Sequence, residues 1–138
     1  MNYSDVVNEQ SRYEDFIASC EHAKSVSLLA TVDGLLQWDE QTMLPASAGD
    51  FRAEQAARLA AITHAQRTQK AQGERLEKLA ESSLATNGPE VVQATIRLLH
   101  EDFQKQSRVP EKLVEEIART SIEAQQEWVA AVEASEWR

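Results

Sequence analysis

The spacing of apolar residues in this chain follows the period of a helix almost from end to end. Over residues 4–37, apolar side chains recur mostly three or four positions apart, which is typical of an α-helix. Gly34 lies inside that pattern and weakens it, so the stretch predicts either one long bent helix or two in tandem, with a break near Asp33. The apolar positions are Val6, Tyr13, Phe16, Ile17, Cys20, Ala23, Leu28, Leu29, Val32, Leu35 and Leu36.

Residues 43–50 form the clearest loop in the sequence. Pro45 disfavours helical backbone at Leu44, so it separates the first helix from the next. A second helix is predicted over about residues 48–69. Its inward-facing residues are expected to be Phe51, Ala56, Leu59, Ala60 and Ile62.

Glycine and proline also set the bounds of three later helices. A short third helix ends at Asn87-Gly88, a good C-terminal stop. Pro89 and Pro110 each precede a glutamate, as at many helix starts, so they open a fourth and a fifth helix. The third helix is marked by Leu76, Leu79, Ala80 and Leu84, the fourth by Val92, Ile96, Leu99 and Phe103, and the fifth by Leu113, Ile117, Ala124, Trp128 and Val132.

Together these segments predict an all-α protein. The connections are short, which favours antiparallel neighbours, so the expected fold is an antiparallel helical bundle of about five helices. The chain has 138 residues, 4 glycines and 3 prolines. That length suits a single domain, residues 1–138, with one hydrophobic core.

Charge and cysteine content narrow the partners and the compartment. The formal net charge of −9 repels phosphate, so neither nucleic acid nor an anionic membrane is an expected partner. Cys20 is the single cysteine, and a lone thiol fits a reducing compartment. Because no apolar run has the length of a membrane span and the N-terminus lacks a secretion signal, a cytoplasmic location is predicted.

The three histidines do not form a recognisable metal motif. His22, His64 and His100 fall in three different predicted helices. His100-Glu101 begins like the zinc motif H-E-x-x-H, but Gln104 stands where the second histidine is required. No Glu-x-x-His pair supports a di-iron site either. The sequence therefore predicts no metal ligand, no catalytic residue and no cofactor-binding residue in this chain, and Cys20 is expected to be a small buried residue rather than a nucleophile.

The most unusual local group is Trp38-Asp39-Glu40, before the proline loop. It has two interpretations. The three side chains could line a ligand pocket, or Trp38 could anchor a helix end while one carboxylate caps the helix or pairs with an arginine such as Arg52; we favour the second. Trp128 is expected in the core. Trp137, if exposed, would indicate a surface that is normally covered.

Three segments carry a resemblance to a known family. Residues 35–45 read L-L-Q-W-D-E-Q-T-M-L-P, which is similar to the N-terminal signature L-x-W-D-x-E-T-x-M-P of the thermostable (Taq-type) carboxypeptidases, a family of zinc metallopeptidases. Trp38, Asp39 and Pro45 match, and Gln41 replaces the usual glutamate. Residues 52–55 (R-A-E-Q), with Leu59-Ala60 and His64, resemble the next family helix. Residues 109–114 (V-P-E-K-L-V), followed by S-x-E-A-x-x-x-W ending at Trp128, resemble a third family segment.

The resemblance implies an almost entirely helical fold with a deep groove, of which these helices form a wall or lid. Family members are much longer, are typically homodimers and remove C-terminal residues from peptides. Their zinc motif lies beyond the matching segments, so zinc is implied for the full-length family and not for this chain. The chain alone is therefore predicted to be inactive. A fragment and a short native gene product both remain open, and the alternative function is a non-enzymatic dimerisation or protein-interaction module.

Overall fold

The computed structural model describes residues 3–134, with side chains from residue 8 onward except at residue 46. Within that range it contains helices and their connections and no strand, so the all-α prediction is confirmed. Trp137 lies outside the described residues. The helices are α1 (Tyr3–Thr42), a 3-10 turn (Ala46–Ala48), α2 (Gly49–Arg67), α3 (Lys70–Ala80), α4 (Ser83–Asn87), α5 (Glu90–Gln106) and α6 (Glu111–Glu133).

The first of these helices, α1, is one continuous helix of 40 residues. Of the two alternatives left by the sequence, the structure selects the single helix, because Gly34 is helical and does not interrupt it. The helix ends where the Asp39 carbonyl accepts hydrogen bonds from the backbone N–H groups of Met43 and Leu44, at 2.8 and 2.9 Å. Pro45 follows and cannot continue the helix, since it has no N–H to donate.

Packing divides the chain into two compact units. Unit 1 comprises residues 1–27 and 66–108, and unit 2 comprises residues 28–65 and 109–138. The first part of α1 therefore belongs to unit 1 and its last part to unit 2. The single-domain assignment of residues 1–138 stays a prediction.

Unit 1 has an aliphatic core between α3, α4 and α5. Its centre is formed by Leu79, Leu84 and Ile96, each at most 3% exposed. Side chains that pack around this centre are Phe16, Ala80, Ala85 and Val92. The predicted stripe of α5 is confirmed, because Ile96 is buried and the other three members of the stripe are half-buried.

Polar contacts hold the first part of α1 within unit 1. Arg12 donates a hydrogen bond of 2.9 Å to the Ser83 hydroxyl. Further along α1, a ring nitrogen of His22 lies 2.9 Å from the Gln66 carbonyl oxygen. Both contacts join residues more than forty positions apart in sequence. They therefore help to fix where the first part of α1 packs within unit 1, which apolar contacts alone would define less closely.

Unit 2 has a small core built largely from alanine. Ala53 and Ala56 of α2 pack with Ile122 of α6. The prediction for α2 was partly wrong, since Ala56 is buried but Phe51 is 70% exposed and Ile62 is 43% exposed. Alanine removes less apolar area from water than phenylalanine, so this core contributes less hydrophobic stabilisation than a core of large side chains would.

The apolar stripe predicted to face inward from α6 faces outward. Leu113, Ile117 and Trp128 are 45%, 56% and 56% exposed, so the prediction that Trp128 lies in the core was wrong. The reason is that Ile122, on the opposite face of α6, is buried in the alanine core and so fixes that face against α2. An exposed ion pair of 2.7 Å between Arg119 and Glu54 also joins the two helices.

Two glycines test the helix packing in opposite directions. A Cβ added at Gly34 would meet no atom within 4 Å, whereas one added at Gly73 would overlap the Phe103 ring. We therefore expect Gly34→Ala to raise the free energy of unfolding by about 0.5–1 kcal/mol, because alanine loses less backbone entropy in a helix. Gly73→Ala should lower it, because the ring must move out of a packed position. Urea unfolding followed by circular dichroism measures both, and a stabilising Gly73→Ala would contradict the packing described here.

Candidate functional site

The end of α1 and the start of α2 are joined by a buried arginine. Arg52 is 8% exposed. Its Nη2 donates to a carboxylate oxygen of Asp39 at 2.5 Å, its Nη1 donates to the Leu36 carbonyl at 2.6 Å and its Nε donates to the Gln55 side chain at 3.0 Å. All three nitrogens of the guanidinium group are thus bonded. We call these four residues the α1–α2 clamp.

The sequence accounts for the clamp. Asp39 and Arg52 are 13 positions apart, and the Pro45 loop between them turns the chain back. Arg52 also places its charge beside the C-terminal turns of α1, where the helix dipole is negative. The Asp39 side chain is 40% exposed and the Arg52 side chain 10%, so solvent screens the pair only in part. The sequence left open whether Asp39 or Glu40 caps the helix or pairs with an arginine such as Arg52, and the structure shows the pairing of Asp39 with Arg52.

Within its described part, unit 2 also contains two buried polar atoms without a partner, and no pattern in the sequence indicated their burial. Glu40 Oε1 and Gln126 Nε2 are buried and have no hydrogen-bond partner among the described residues. Burial raises the pKa of Glu40, and the positive charge of Arg52 opposes that rise. Gln126 of α6 lies so close to Gly49 that a Cβ there would overlap its amide. The close approach explains why α2 begins with a glycine.

Trp38 does not behave as the expected anchor of the helix end. Its side chain is 60% exposed, so the interpretation of Trp38 as a packing anchor is wrong within this chain. The physical reason is that α2 packs against the side of α1 that carries Asp39, where Arg52 bonds Asp39 and the Leu36 carbonyl. Trp38 projects from a different side of the helix.

The histidines do not fit a zinc site. The described residues include no group of three or more His, Cys, Asp or Glu side chains that could hold a metal ion. His22 Nε2 contacts the Gln66 carbonyl, and His100 Nε2 lies 3.3 Å from the Gln104 amide nitrogen. A hydrolytic zinc needs converging His and carboxylate donors. The donors present therefore do not suit the metal.

Cys20 is half-buried in α1. Burial raises the pKa of its thiol, and the negative charge of Glu21 raises it further. A thiol held in its protonated form is a poor nucleophile, which agrees with a packing role for Cys20.

The clamp predicts that the Asp39–Arg52 ion pair contributes more to the free energy of unfolding than the exposed Glu54–Arg119 ion pair of the same unit. Asp39→Asn should lower the free energy of unfolding by about 1–3 kcal/mol, because the mostly buried Arg52 loses its counter-charge. Arg52→Lys should not preserve stability, because lysine cannot bond Asp39, Leu36 and Gln55 together. Urea unfolding measures these changes.

The matched control is Glu54→Gln, which removes the charge from an exposed ion pair. Its unfolding midpoint should stay close to that of the parent, since exposed pairs contribute little. Equal losses from Asp39→Asn and Glu54→Gln would contradict a special role for the clamp.

Comparison with known proteins assigns the chain to a family. A family model described as carboxypeptidase Taq (M32) metallopeptidase matches residues 18–138. Thermostable carboxypeptidase 1 from Thermus thermophilus is 30% identical over 118 residues, which is 86% of this chain and 23% of that relative. The chain therefore spans less than a quarter of the relative's length. No solved structure matches. The chain belongs to the carboxypeptidase Taq (M32) metallopeptidase family.

Proposed function

We propose that this chain supplies the N-terminal helical part of an M32 metallocarboxypeptidase, an enzyme that removes C-terminal residues from peptides. In this role its helices shape the substrate groove and contribute no zinc ligand and no catalytic group. The observation that supports the proposal most directly is the family match over residues 18–138. The segments that resemble family motifs include the clamp, so the family-like part of the sequence coincides with a structural contact and not with a set of metal donors.

The outward apolar faces of unit 2 agree with this role. Leu35 of α1 is 67% exposed, Phe51 of α2 is 70% exposed and Ile117 of α6 is 56% exposed. Large apolar side chains in such numbers on one unit are typical of a surface that another body covers. In a relative more than four times as long as the matched segment, further chain is available to cover them. Among the described residues, none of the helices has the combination of length and hydropathy that a membrane span requires.

The proposal predicts that the purified chain binds no stoichiometric zinc and hydrolyses no peptide. The physical reason is that the described residues do not gather the donors that would activate a zinc-bound water. Metal analysis after dialysis, and release of the C-terminal residue from an N-blocked dipeptide with added zinc, measure the two properties.

The Thermus relative, assayed in parallel, is the positive control. A His100→Ala variant is the matched control for trace metal, since it removes the histidine of the incomplete motif and should change neither result. One tightly held zinc per chain, or hydrolysis abolished by His100→Ala, would overturn the proposal.

The exposed stripe of α6 favours a second candidate function, dimerisation with another copy of this chain. Leu113, Ile117, Trp128 and Val132 are each at least 43% exposed and recur along one helix. A two-fold dimer would bury the same stripe from each copy. This removes apolar area from water without requiring a second kind of protein.

Dimerisation predicts a concentration-dependent mass in light scattering. Ile117→Glu should shift the chain to monomer, because a charge would then face the opposing copy. Val91→Glu is the matched control, because Val91 is 76% exposed on α5 and lies outside the stripe. A parent chain that stays monomeric at high concentration, or equal effects of the two substitutions, would contradict the second candidate.

A further inference from the structure

The outward face of α6 carries a long, narrow stripe, which we call the α6 stripe. Its members lie three or four positions apart from residue 113 to residue 132, so it runs for about 28 Å along the helix. All of them are exposed, with large apolar side chains toward both ends and small ones in the middle. The members are Leu113, Ile117, Thr120, Ala124, Trp128 and Val132. A second helix can therefore approach closely at the centre of the stripe and pack against the large side chains on either side of it.

The two edges of the α6 stripe differ in charge. Glu116, Glu123 and Glu127 each stand directly before a member of the stripe, so each is turned about 100° to the same side of it. They form one row along that edge, which we call the acidic row. The residues directly after the same three members are uncharged: Ala118, Gln125 and Val129. A partner that matches both edges therefore carries positive charge on one side of its apolar face only.

The acidic row has no cation bonded to it within the described part of the chain. All three glutamates are exposed, and none of them forms an ion pair there. Arg119, one turn before Glu123, bonds Glu54 of α2 at 2.7 Å. Lys112 stands before Leu113, beyond the N-terminal end of the row. A body that covered the α6 stripe without supplying cations would remove water from these carboxylates and give them no partner in return, which costs free energy.

We propose that the α6 stripe docks a basic amphipathic helix of about five turns, which is the length of the stripe. Its apolar face covers the stripe, and lysines or arginines along one of its edges pair with the acidic row. A second copy of this chain supplies no such cations, because the edges of its own stripe are acidic and uncharged. An anionic membrane surface would be repelled by the acidic row. The docked helix belongs to the remainder of the M32 enzyme, an assignment that rests on the proposed function, whereas the chemistry of the surface does not.

Titration of a labelled synthetic helix with the full chain, followed by fluorescence anisotropy at physiological ionic strength, tests the proposal. The probe is a peptide of about 18 residues with leucines at the spacing of the stripe and lysines along one edge. In the control peptide, glutamine replaces each lysine. We expect saturable binding of the lysine peptide and about tenfold weaker binding of the glutamine peptide, because the ion pairs with the acidic row are lost. Ile117→Ser should weaken the binding of both peptides, because it removes apolar area from the stripe.

Two triple variants of equal net charge separate the acidic row from the overall charge of the chain. Glu116→Gln, Glu123→Gln and Glu127→Gln, combined in one variant, should weaken the lysine peptide about tenfold and leave the glutamine peptide unchanged. The matched control changes three exposed glutamates of unit 1 and should leave both affinities unchanged. Its substitutions are Glu9→Gln, Glu21→Gln and Glu77→Gln.

Equal affinities for the two peptides, or equal losses from the two triple variants, would overturn the proposal, because the acidic row would then have no special part in docking. A chain that dimerises and is not dissociated by the lysine peptide would also overturn it, since the stripe would then belong to a second copy. Zinc content and peptidase activity test the proposed function and not this surface, so either proposal can fail while the other holds.

Discussion

The contact between Asp39 and Arg52 is the constraint on which the rest of unit 2 depends. A continuous helix of 40 residues ends beside an alanine-rich one, and alanine surfaces alone specify little about how two helices meet. Arg52 supplies the missing specificity, because its planar group bonds a side chain and a backbone carbonyl of α1 at once. Once α1 and α2 are joined in this way, α6 packs on α2 through Ile122, and its apolar stripe is left facing outward.

This arrangement gives the two units different character. Unit 1 buries leucine and isoleucine in the ordinary way, and polar contacts at Arg12 and His22 add to its packing. Unit 2 buries mainly alanines, with Ile122, Arg52 and His64, and it exposes large apolar side chains on all three of its helices. Membership of the M32 family offers a physical context for the contrast, since the matched segment makes up 23% of the Thermus relative. Under the proposed function, the chain forms a wall of a larger helical protein, and it then needs one face that packs within the chain and another that packs against the remainder.

The sequence-based predictions were more successful for unit 1 than for unit 2. In α5 the stripe through Ile96 holds four large apolar residues at helical spacing, so periodicity identified the packed face correctly. In α6 two faces compete, and periodicity selected the more apolar one at Ile117 rather than the face that carries Ile122. Amphipathicity reports which face avoids water; it does not report which neighbour is present in the chain to cover it. A contact between Arg52 and one of the carboxylates before the proline loop was predictable from their opposite charges, but the choice of Asp39 over Glu40 was not. The buried amide of Gln126 was not predictable, because Gln126 of α6 packs against Gly49 of α2, which is distant in sequence.

The clamp is tested most directly by a double-mutant cycle of Asp39→Asn and Arg52→Gln, with the free energy of unfolding measured for the parent, both single variants and the double variant. If the two side chains stabilise the α1–α2 junction through each other, the loss in the double variant will be smaller than the sum of the single losses, with a coupling energy of about 1–3 kcal/mol. Additive losses, with a coupling energy near zero, would contradict the account.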